Sequence, residues 1–375
     1  MTGILFITYA GLLGGAERVL LDCAAAVEGP HVLACPEGPL AQAARHAGLT
    51  VVPLPGRDLR LRGGLTRRGT ATRGLIAHAR ESRRLVRDLD PELTMAWGMR
   101  SAIASLALPR QGRLACDHHD FLPAGAIGRL VRAAARRAAL VTVPSGAVAR
   151  DLDPGRELRD RLHVVHPGVE LAPWAEVGPP PEPPSLLVLG ALVSWKRPEL
   201  AVEVLSRARA EIPGLTLRFV GAPVSEDEPV VPELRARIAA AGVEGVAHLA
   251  GPSADPRDEL ARATCLLHCA EREPFGLVIL EALAAGTPVI ASSVGALPEI
   301  VGGAGILVEP RDPDRLAAAI ATAWTDDDLW ARLRADALAH SGMGRRTWAD
   351  VARATRITYT DVGARRGPED EATGI

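Results

Sequence analysis

The chain is poor in lysine, in aromatic residues and in long apolar runs. Of its 43 lysine and arginine residues, a single one, Lys196, is a lysine. Aromatic residues make up 3% of the chain, which argues against a protein that binds nucleic acid by stacking bases on aromatic rings. No apolar run approaches the roughly 18 residues of a membrane-spanning helix, so we expect no transmembrane segment.

Cysteine is also scarce. The five cysteines are odd in number and lie mostly in apolar runs, which favours reduced core thiols in a cytosolic protein. Cys265, His268 and Cys269 could suggest a metal site, but no second cluster of ligands accompanies them, and we expect no metal. The apolar start of the chain lacks a basic lead-in, so we interpret it as a first strand rather than a signal peptide.

The length and composition favour two globular domains. The 375 residues are 47% hydrophobic and 23% charged, which is enough apolar material for two cores. Strand-like apolar runs alternate with helical segments, a pattern typical of an α/β protein with parallel, doubly wound sheets. A proline- and glycine-rich stretch at 178–184 predicts the linker between the domains.

One stretch dominates the second half: Glu273-Pro-Phe-Gly-Leu-Val-Ile-Leu-Glu281. It follows an apolar strand, and the residues from Gly276 to Ala285 are apolar or glycine except for Glu281, which predicts a buried helix. A buried carboxylate needs a partner. Glu281 could pair with an arginine, or it could accept hydrogen bonds from the hydroxyls of a sugar lying over the helix start.

The same helix start is suited to an anion. The first amides of a helix have no carbonyl partner in a preceding turn, so those of Phe275, Gly276 and Leu277 would face a negatively charged ligand. A helix terminus stabilises an anion by only about 0.3–2 kcal/mol, and a diphosphate would need a cation as well. Lys196 follows a strand and precedes a helix, where it could be that cation or a surface residue retained by chance.

Two loops of the first half are candidates for a site. Gly14, Gly15 and Glu17 lie between a strand and a helix, but their spacing is not that of a dinucleotide loop, and a tight turn alone would also explain them. Asp117-His118-His119-Asp120 ends a strand, where parallel sheets carry functional residues. This cluster could be a metal site, a general base or a structural corner.

Positive charge is concentrated in the first half. Residues 57–87 carry ten arginines, and further arginines follow at 129–137, while the C-terminal half is acidic and the net charge is −2. Such runs are most often solvated helix faces. An anionic acceptor, or transient contact with an anionic membrane at about 1 kcal/mol per basic residue, would explain them as well.

Several motifs resemble one family. These are the Glu-x7-Glu stretch with Pro-Phe-Gly-Leu inside it, the Glu281–Ile290 segment, Gly295-Ala-Leu-Pro-Glu299 and Gly305-Ile-Leu-Val308. The chain is similar to the family-4 retaining glycosyltransferases of the GT-B fold, most strongly over 185–325. The resemblance implies two Rossmann-like domains, 1–176 and 177–344, facing each other across a cleft. A helix at about 345–360 would return to the first domain, and a tail at 363–375 would be disordered.

The resemblance also implies a function, the retaining transfer of a hexose from a nucleoside-diphosphate-sugar to an acceptor hydroxyl without metal or other cofactor. In this reading Glu273 and His119 contact the donor sugar, Glu281 holds the ribose, and Lys196 stabilises the leaving diphosphate. The remaining donor-binding residues would be Gly15, Arg197, Phe275, Gly276 and Leu277.

The sequence departs from the family pattern at Ala191, where many relatives carry an arginine. Arg197, Arg100 or Arg18 could supply the missing charge. A GT-B sugar-nucleotide epimerase and a non-catalytic GT-B partner subunit remain alternatives, and a dehydrogenase is a more distant one. We expect a cytoplasmic bacterial enzyme, with the inner face of the membrane as an alternative location. Its acceptor would be a saccharide, a glycolipid or a secondary metabolite, and nucleic acid is not expected as a partner.

Overall fold

The structure is a computed structural model, and it describes residues 3–56, 65–108, 113–169, 182–224, 229–340, 350–351, 353–355 and 359, without the side chains of 65–70. Most of the predicted linker at 178–184, the tail at 363–375 and several arginines of 57–87 lie outside this part of the chain. The chain divides into two compact units, Met1–Pro167 with Trp348–Ile375, and Gly168–Thr347. The sequence had placed these boundaries at 176 and 344.

The first unit contains a parallel sheet with helices between its strands. The sheet order is β3-β2-β1-β4-β5-β6-β7, and every pairing is parallel. The elements in chain order are β1 Ile4–Ile7, α1 Gly15–Ala26, β2 Val32–Pro36, α2 Pro39–His46, β3 Thr50–Leu54, α3 Leu65–Leu89, β4 Leu93–Trp97, α4 Met99–Ser105, β5 Leu114–Asp117, α5 Ala126–Arg137, β6 Leu140–Val143, α6 Gly146–Leu152 and β7 Leu162–Val164.

The second unit repeats this architecture. Its parallel sheet has the order β10-β9-β8-β11-β12-β13. The elements are β8 Ser185–Leu189, α7 Pro198–Ala208, β9 Thr216–Val220, α8 Val230–Ala240, β10 Ala247–Gly251, α9 Pro256–Arg262, β11 Cys265–His268, α10 Leu277–Ala284, β12 Val289–Ser292, α11 Leu297–Val301, β13 Ile306–Val308, α12 Pro313–Thr325 and α13 Asp327–Ala339. The prediction of two doubly wound α/β domains is therefore confirmed.

Local sequence explains where many of these elements begin. The central strands β1, β4, β5 and β11 are buried along their whole length, as their continuous apolar runs require in a sheet covered on both faces. Asp255, Asp312 and Asp326 accept hydrogen bonds from the first amides of α9, α12 and α13. These caps satisfy amides that have no partner inside the helix.

Residues near the C-terminus complete the core of the first unit. Val351 and Tyr359 are buried in the same apolar cluster as Phe6 of β1. The Thr355 hydroxyl lies 3.7 Å from the Cys23 thiol of α1. All five cysteines are buried, and none of them forms a disulfide bond. Among the described helices, none combines the length and apolarity that crossing a membrane requires.

Many arginines of the first unit have structural partners. Three of them donate hydrogen bonds to carbonyl groups at helix carboxyl ends, where the last carbonyls lack helical partners. They are Arg137 at Leu106 and Leu108, Arg161 at Arg136 and Ala138, and Arg132 at Asp151 and Leu152. The arginine-rich helix α5 is thus tied to its neighbours rather than simply solvated.

Two glycines hold the loops at the switch point of the second sheet. Gly221 has φ +146, and a Cβ there would lie 1.8 Å from the carbonyl oxygen of Gly190. Since that oxygen belongs to the backbone, the loops after β8 and β9 would have to separate to admit any side chain.

We expect Gly221→Ala to lower the free energy of unfolding by about 2–4 kcal/mol, because it adds backbone strain and a backbone clash. The matched control is Gly242→Ala, which has φ +66 but no heavy atom within 4 Å of the added Cβ. The control should lose only about 1–2 kcal/mol. Urea unfolding followed by circular dichroism measures both, and equal losses would contradict the role of the close approach.

Candidate active site

The sheet order of the second unit brings two loops together. Strands β8 and β11 are neighbours, and the chain order reverses between them. In doubly wound sheets, ligands bind at such a switch point, beyond the carboxyl ends of the strands. The loop after β8 carries Lys196, and the loop after β11 carries Glu273. A small pocket lies there, with Ala191, Lys196, His268 and Cys269 among its lining residues.

The loop after β8 folds back over its own first residue. Gly190 has φ +119, and a Cβ on it would lie 3.3 Å from the Lys196 ammonium nitrogen. That nitrogen also lies 5.4 Å from the centroid of the Trp195 ring. The ammonium is therefore held close to the carboxyl end of β8, where the sequence predicted a phosphate-binding cation.

Arg197, the second predicted cation, is engaged with carboxylates. Its guanidinium donates to Glu199 and, at 2.6 Å, to Glu271. Arg311 forms a further ion pair with Glu271 at 2.8 Å. Hydrogen bonding from Arg197 holds the pKa of Glu271 below its usual range. Much of the Arg197 charge is thus neutralised inside the protein, which weakens it as a substitute for the arginine missing at Ala191.

Glu271 also joins the two loops through its backbone. Its amide donates to the Trp195 carbonyl at 2.9 Å, while its carboxylate binds Arg197. Since Lys196 lies between these two residues, Glu271 fixes the turn that carries the ammonium against the loop that carries Glu273. Sequence reasoning missed Glu271, because the residues next to it in the sequence do not indicate which groups it binds.

Glu273 is buried and hydrogen-bonded. Only 5% of the residue is exposed, and its Oε2 accepts a hydrogen bond of 2.9 Å from Nε2 of His268, the last residue of β11. Burial acts to raise the pKa of Glu273, but the His268 hydrogen bond, the Lys196 charge and the Phe275 amide outweigh it and lower the pKa. The carboxylate is therefore ionised in a largely dry site.

The Gly295-Ala296 turn holds the backbone of Glu273 in place. The Ala296 amide donates to the Glu273 carbonyl at 2.9 Å. Gly295 has φ +57, and a Cβ there would lie 2.1 Å from that same carbonyl oxygen. The glycine of this motif is needed because the two loops touch through their backbones.

Helix α10 begins directly after this loop. Its N-cap, Gly276, is in the left-handed region with φ +94, and the helix is buried along nearly its whole length. Glu281 lies in its second turn and is partly exposed. The predicted donor-binding residues Phe275, Gly276, Leu277 and Glu281 therefore lie at the same carboxyl edge of the second sheet as Lys196 and Glu273.

His119 lies at the corresponding edge of the first sheet. Its Nδ1 lies 3.1 Å from Asp117 Oδ1, and the Thr142 hydroxyl donates to Asp117 Oδ2 at 2.7 Å. The His119 and Trp97 ring centroids are 6.0 Å apart. Burial acts to lower the pKa of His119, but the Asp117 carboxylate outweighs it and raises the pKa. The imidazole is thus oriented by a carboxylate, as a functional histidine would be.

A small, largely apolar cavity adjoins His119. Its lining includes Ala16, Val19, Trp97 and, from the C-terminal segment, Tyr359. Gly15 is the first residue of α1, next to this lining. In the preceding loop, the Gly14 amide donates to the Glu17 carboxylate at 3.1 Å. In the structure, Glu17 therefore caps its own helix.

Two further polar side chains of the first unit have local contacts. The Arg100 guanidinium lies 4.4 Å from the centroid of the Tyr9 ring, and His166 Nδ1 lies 2.9 Å from the Pro144 carbonyl oxygen. Within the described ranges, no three His, Cys, Asp or Glu side chains are grouped so that they could hold a metal ion.

His118 differs from His119 in its surroundings. It is 2% exposed, and in the described part of the chain neither ring nitrogen has a hydrogen-bond partner. Burial, aided by the charge of His119, lowers the pKa of His118 to about 3. The folded protein therefore excludes a proton that the unfolded chain binds below about pH 6.5.

We expect this histidine to make the protein acid-sensitive, since stability is lost as the pH falls from about 6.5 towards 3. At pH 5 the loss amounts to about 2 kcal/mol. His118→Leu should remove that part of the pH dependence, as measured by urea unfolding at pH 7.5 and pH 5. The exposed His46 provides the control, because His46→Gln should leave the dependence unchanged. An equally acid-sensitive His118→Leu variant would refute the assignment.

Two family models match the chain. The model described as Glycosyltransferase Family 4 matches residues 13–172, and the model described as Glycosyl transferases group 1 matches residues 175–339. One relative, the D-inositol 3-phosphate glycosyltransferase of Streptomyces scabiei, is 33% identical over 289 residues, which are 70% of this chain and 63% of the relative. A glycogen synthase of Mycobacterium tuberculosis is 36% identical over 213 residues, 55% of this chain and 49% of the relative. The matches thus span about half to three-fifths of these relatives.

Solved structures share the fold. Anabaena Alr3699/HepE, solved with UDP and glucose, has a TM-score of 0.80 at 22% identity, with 96% of this chain and 100% of that chain covered. The sucrose-phosphate synthase of Thermosynechococcus elongatus has a TM-score of 0.77 at 20% identity, with 97% and 100% covered. At these identities the likeness is one of fold. Together with the two family models, which cover nearly the whole sequence in succession, it shows that the chain belongs to the family-4 glycosyltransferases of the GT-B fold.

Proposed function

We propose that this protein is a retaining hexosyltransferase. It would transfer the sugar of a nucleoside-diphosphate-sugar to an acceptor hydroxyl, with no bound metal. The observation that carries the proposal is the convergence of the Lys196 ammonium, the ionised Glu273 and the start of α10 at the switch point of one sheet. A cation and the amides at a helix start suit a diphosphate, and a buried carboxylate suits sugar hydroxyls.

The chemistry assigns a role to each group. Negative charge accumulates on the diphosphate as its bond to the sugar breaks, so the groups that lower the barrier are those that stabilise this charge. Lys196 and the amides of Gly276 and Leu277 would do so, whereas the Phe275 amide already donates to Glu273. Glu273 would accept hydrogen bonds from the sugar hydroxyls and Glu281 from the ribose. His119, oriented by Asp117, would be the sugar ligand contributed by the first unit.

The relatives support this assignment and leave the substrates open. Their names describe transfer to inositol phosphate and synthesis of glycogen, and one structural neighbour was solved with UDP-glucose. The complex with UDP-glucose favours a nucleotide-sugar donor, and the glycosyltransferase and glycogen synthase names favour a saccharide or another hydroxyl-bearing acceptor. We propose both for this chain without assigning the base, the sugar or the acceptor.

Calorimetric titration with UDP, GDP, ADP and dTDP in the presence of EDTA tests the donor site. We expect one nucleotide to bind the native protein, and Lys196→Ala and Glu281→Ala each to weaken binding by about 1.5–3 kcal/mol, because each removes a charge-assisted hydrogen bond. Arg235→Ala, which removes an exposed positive charge on α8, should bind as the native protein does.

The other outcomes separate the alternatives. Conversion of a sugar nucleotide without any acceptor would indicate an epimerase. If no nucleoside diphosphate binds, or both variants bind as well as the native protein, the donor assignment is wrong and the non-catalytic subunit becomes the better reading. Anomeric configuration of the product, followed by proton NMR, decides whether the sugar is transferred with retention.

One exposed face of α3 is rich in arginine. Arg73, Arg80, Arg83 and Arg87 are exposed, and their spacing places them along one side of the helix. Ile76, on the same side, is 48% exposed. In the described part of the chain they form no hydrogen bond or ion pair with another helix, unlike the capping arginines of the same unit, and Arg87 pairs with Asp88 of its own helix. We propose that this face makes transient contact with an anionic membrane surface.

Sedimentation with phosphatidylglycerol vesicles tests that contact at low and at physiological salt. We expect binding at low salt that falls steeply as salt screens the charges. The triple charge reversal Arg73→Glu, Arg80→Glu and Arg83→Glu should abolish it. Reversal of Arg235 and Arg237 on α8 is the control and should change binding little. Equal binding by both variants, or by neutral vesicles, would exclude this face as the contact.

A further inference from the structure

His268 is a buried residue. From the sequence it was considered only as a ligand of a metal site that we did not expect to exist. Its Nε2 lies 2.9 Å from Glu273 Oε2, and the two side chains are 5% and 7% exposed. The interaction joins the last residue of β11 to the loop that precedes α10. His268 also lines the pocket that contains Lys196. It is therefore placed to act on both charged groups of the candidate donor site.

The physical situation of Glu273 explains why such a partner matters. A carboxylate at this depth stays ionised only if nearby groups compensate for lost hydration. Three groups facing it do so, each from a different part of the site: His268 at the end of β11, Lys196 in the turn before α7, and the Phe275 amide in its own loop. Of these, His268 is the side chain that hydrogen-bonds directly to the carboxylate.

The three groups that compensate Glu273 differ in whether the proposed function also needs them for another ligand. The Phe275 amide is fixed by the backbone, and the proposed function needs the Lys196 ammonium for the diphosphate. A histidine N–H on Oε2 compensates the carboxylate without using that ammonium. Because it binds Oε2, it also holds the carboxylate in one orientation. The neutral imidazole is sufficient for this, since its Nε2 tautomer already donates.

We propose that His268 is a positioning residue of the donor site: it keeps Glu273 ionised and oriented towards the sugar, and it leaves Lys196 available to the diphosphate. This inference rests on the proposed function. The inference extends that function, because it assigns a second buried side chain to the sugar-binding carboxylate. It also explains why a polar residue ends an apolar strand.

The test compares three forms of the full-length protein with the sugar nucleotide that the native protein uses. His268→Ala should lower kcat about 10- to 100-fold, the range expected for loss of a charge-assisted hydrogen bond. The donor KM should change less than kcat does. His268→Gln, whose side-chain amide can donate from a similar position, should recover most of the lost kcat.

The pH dependence distinguishes positioning from a merely structural role. Without the His268 N–H, burial dominates and the pKa of Glu273 rises. The acid limb of the kcat profile should therefore move to higher pH in His268→Ala, and less so in His268→Gln. The control is His248→Gln, an exposed histidine on β10 of the same sheet, which should leave kcat and the profile unchanged.

Two results would overturn the inference. One is native-like kcat in His268→Ala. The other is equal loss in the Ala and Gln variants with an unmoved acid limb, together with a lower melting temperature, which would make His268 a packing residue only. A native protein that binds and converts no sugar nucleotide would overturn the proposed function itself, and the inference with it. That outcome is seen before any variant is made, so the two failures are distinguishable.

Discussion

The need to stabilise a carboxylate out of water organises the candidate site. Glu273 is ionised although it is buried, and the elements around it supply the compensation: the last residue of β11, the turn before α7 and the amide of Phe275. The Ala296 amide then holds the loop by donating to the Glu273 carbonyl, and Gly295 approaches that carbonyl more closely than a residue with a Cβ could. A buried charge of this kind weakens a fold unless it is satisfied, and in the proposed function this one also binds a ligand.

The single lysine, Lys196, differs from the arginines of the chain in the ligand that it suits. An ammonium is a compact charge that suits a phosphate, whereas a guanidinium prefers planar, bidentate partners. The arginines of this chain follow that preference. Some bind helix carbonyls, and Arg197 and Arg311 share the carboxylate of Glu271. The family resemblance led us to expect an arginine where this chain has Ala191. Arg197 is a weak substitute for it, because its guanidinium already bridges Glu199 and Glu271.

The two units place their polar side chains at the same edge of a parallel sheet, but the side chains differ in kind. In each, polar side chains follow parallel strands and gather at one edge of the sheet, where the backbone is free to turn. The second unit has a cation, a carboxylate and a helix start there. The first has a carboxylate-bound histidine next to a largely apolar cavity that residues of the C-terminal segment help to line. The first edge suits contacts with sugar and apolar groups, and the second suits a charged nucleotide.

The sequence by itself determined the α/β class, the two parallel sheets and the helix at 277–284, because apolar runs, caps and glycines act over a few neighbouring residues. It also singled out Lys196, Glu273 and His119 as candidates. Only the tertiary structure decided that His268 binds Glu273, that Glu271 binds Arg197, and that His118 lacks the partner its neighbour has. These contacts depend on which strands are adjacent and in what register. Strand order is set by the packing of the whole sheet, so no local pattern could predict them.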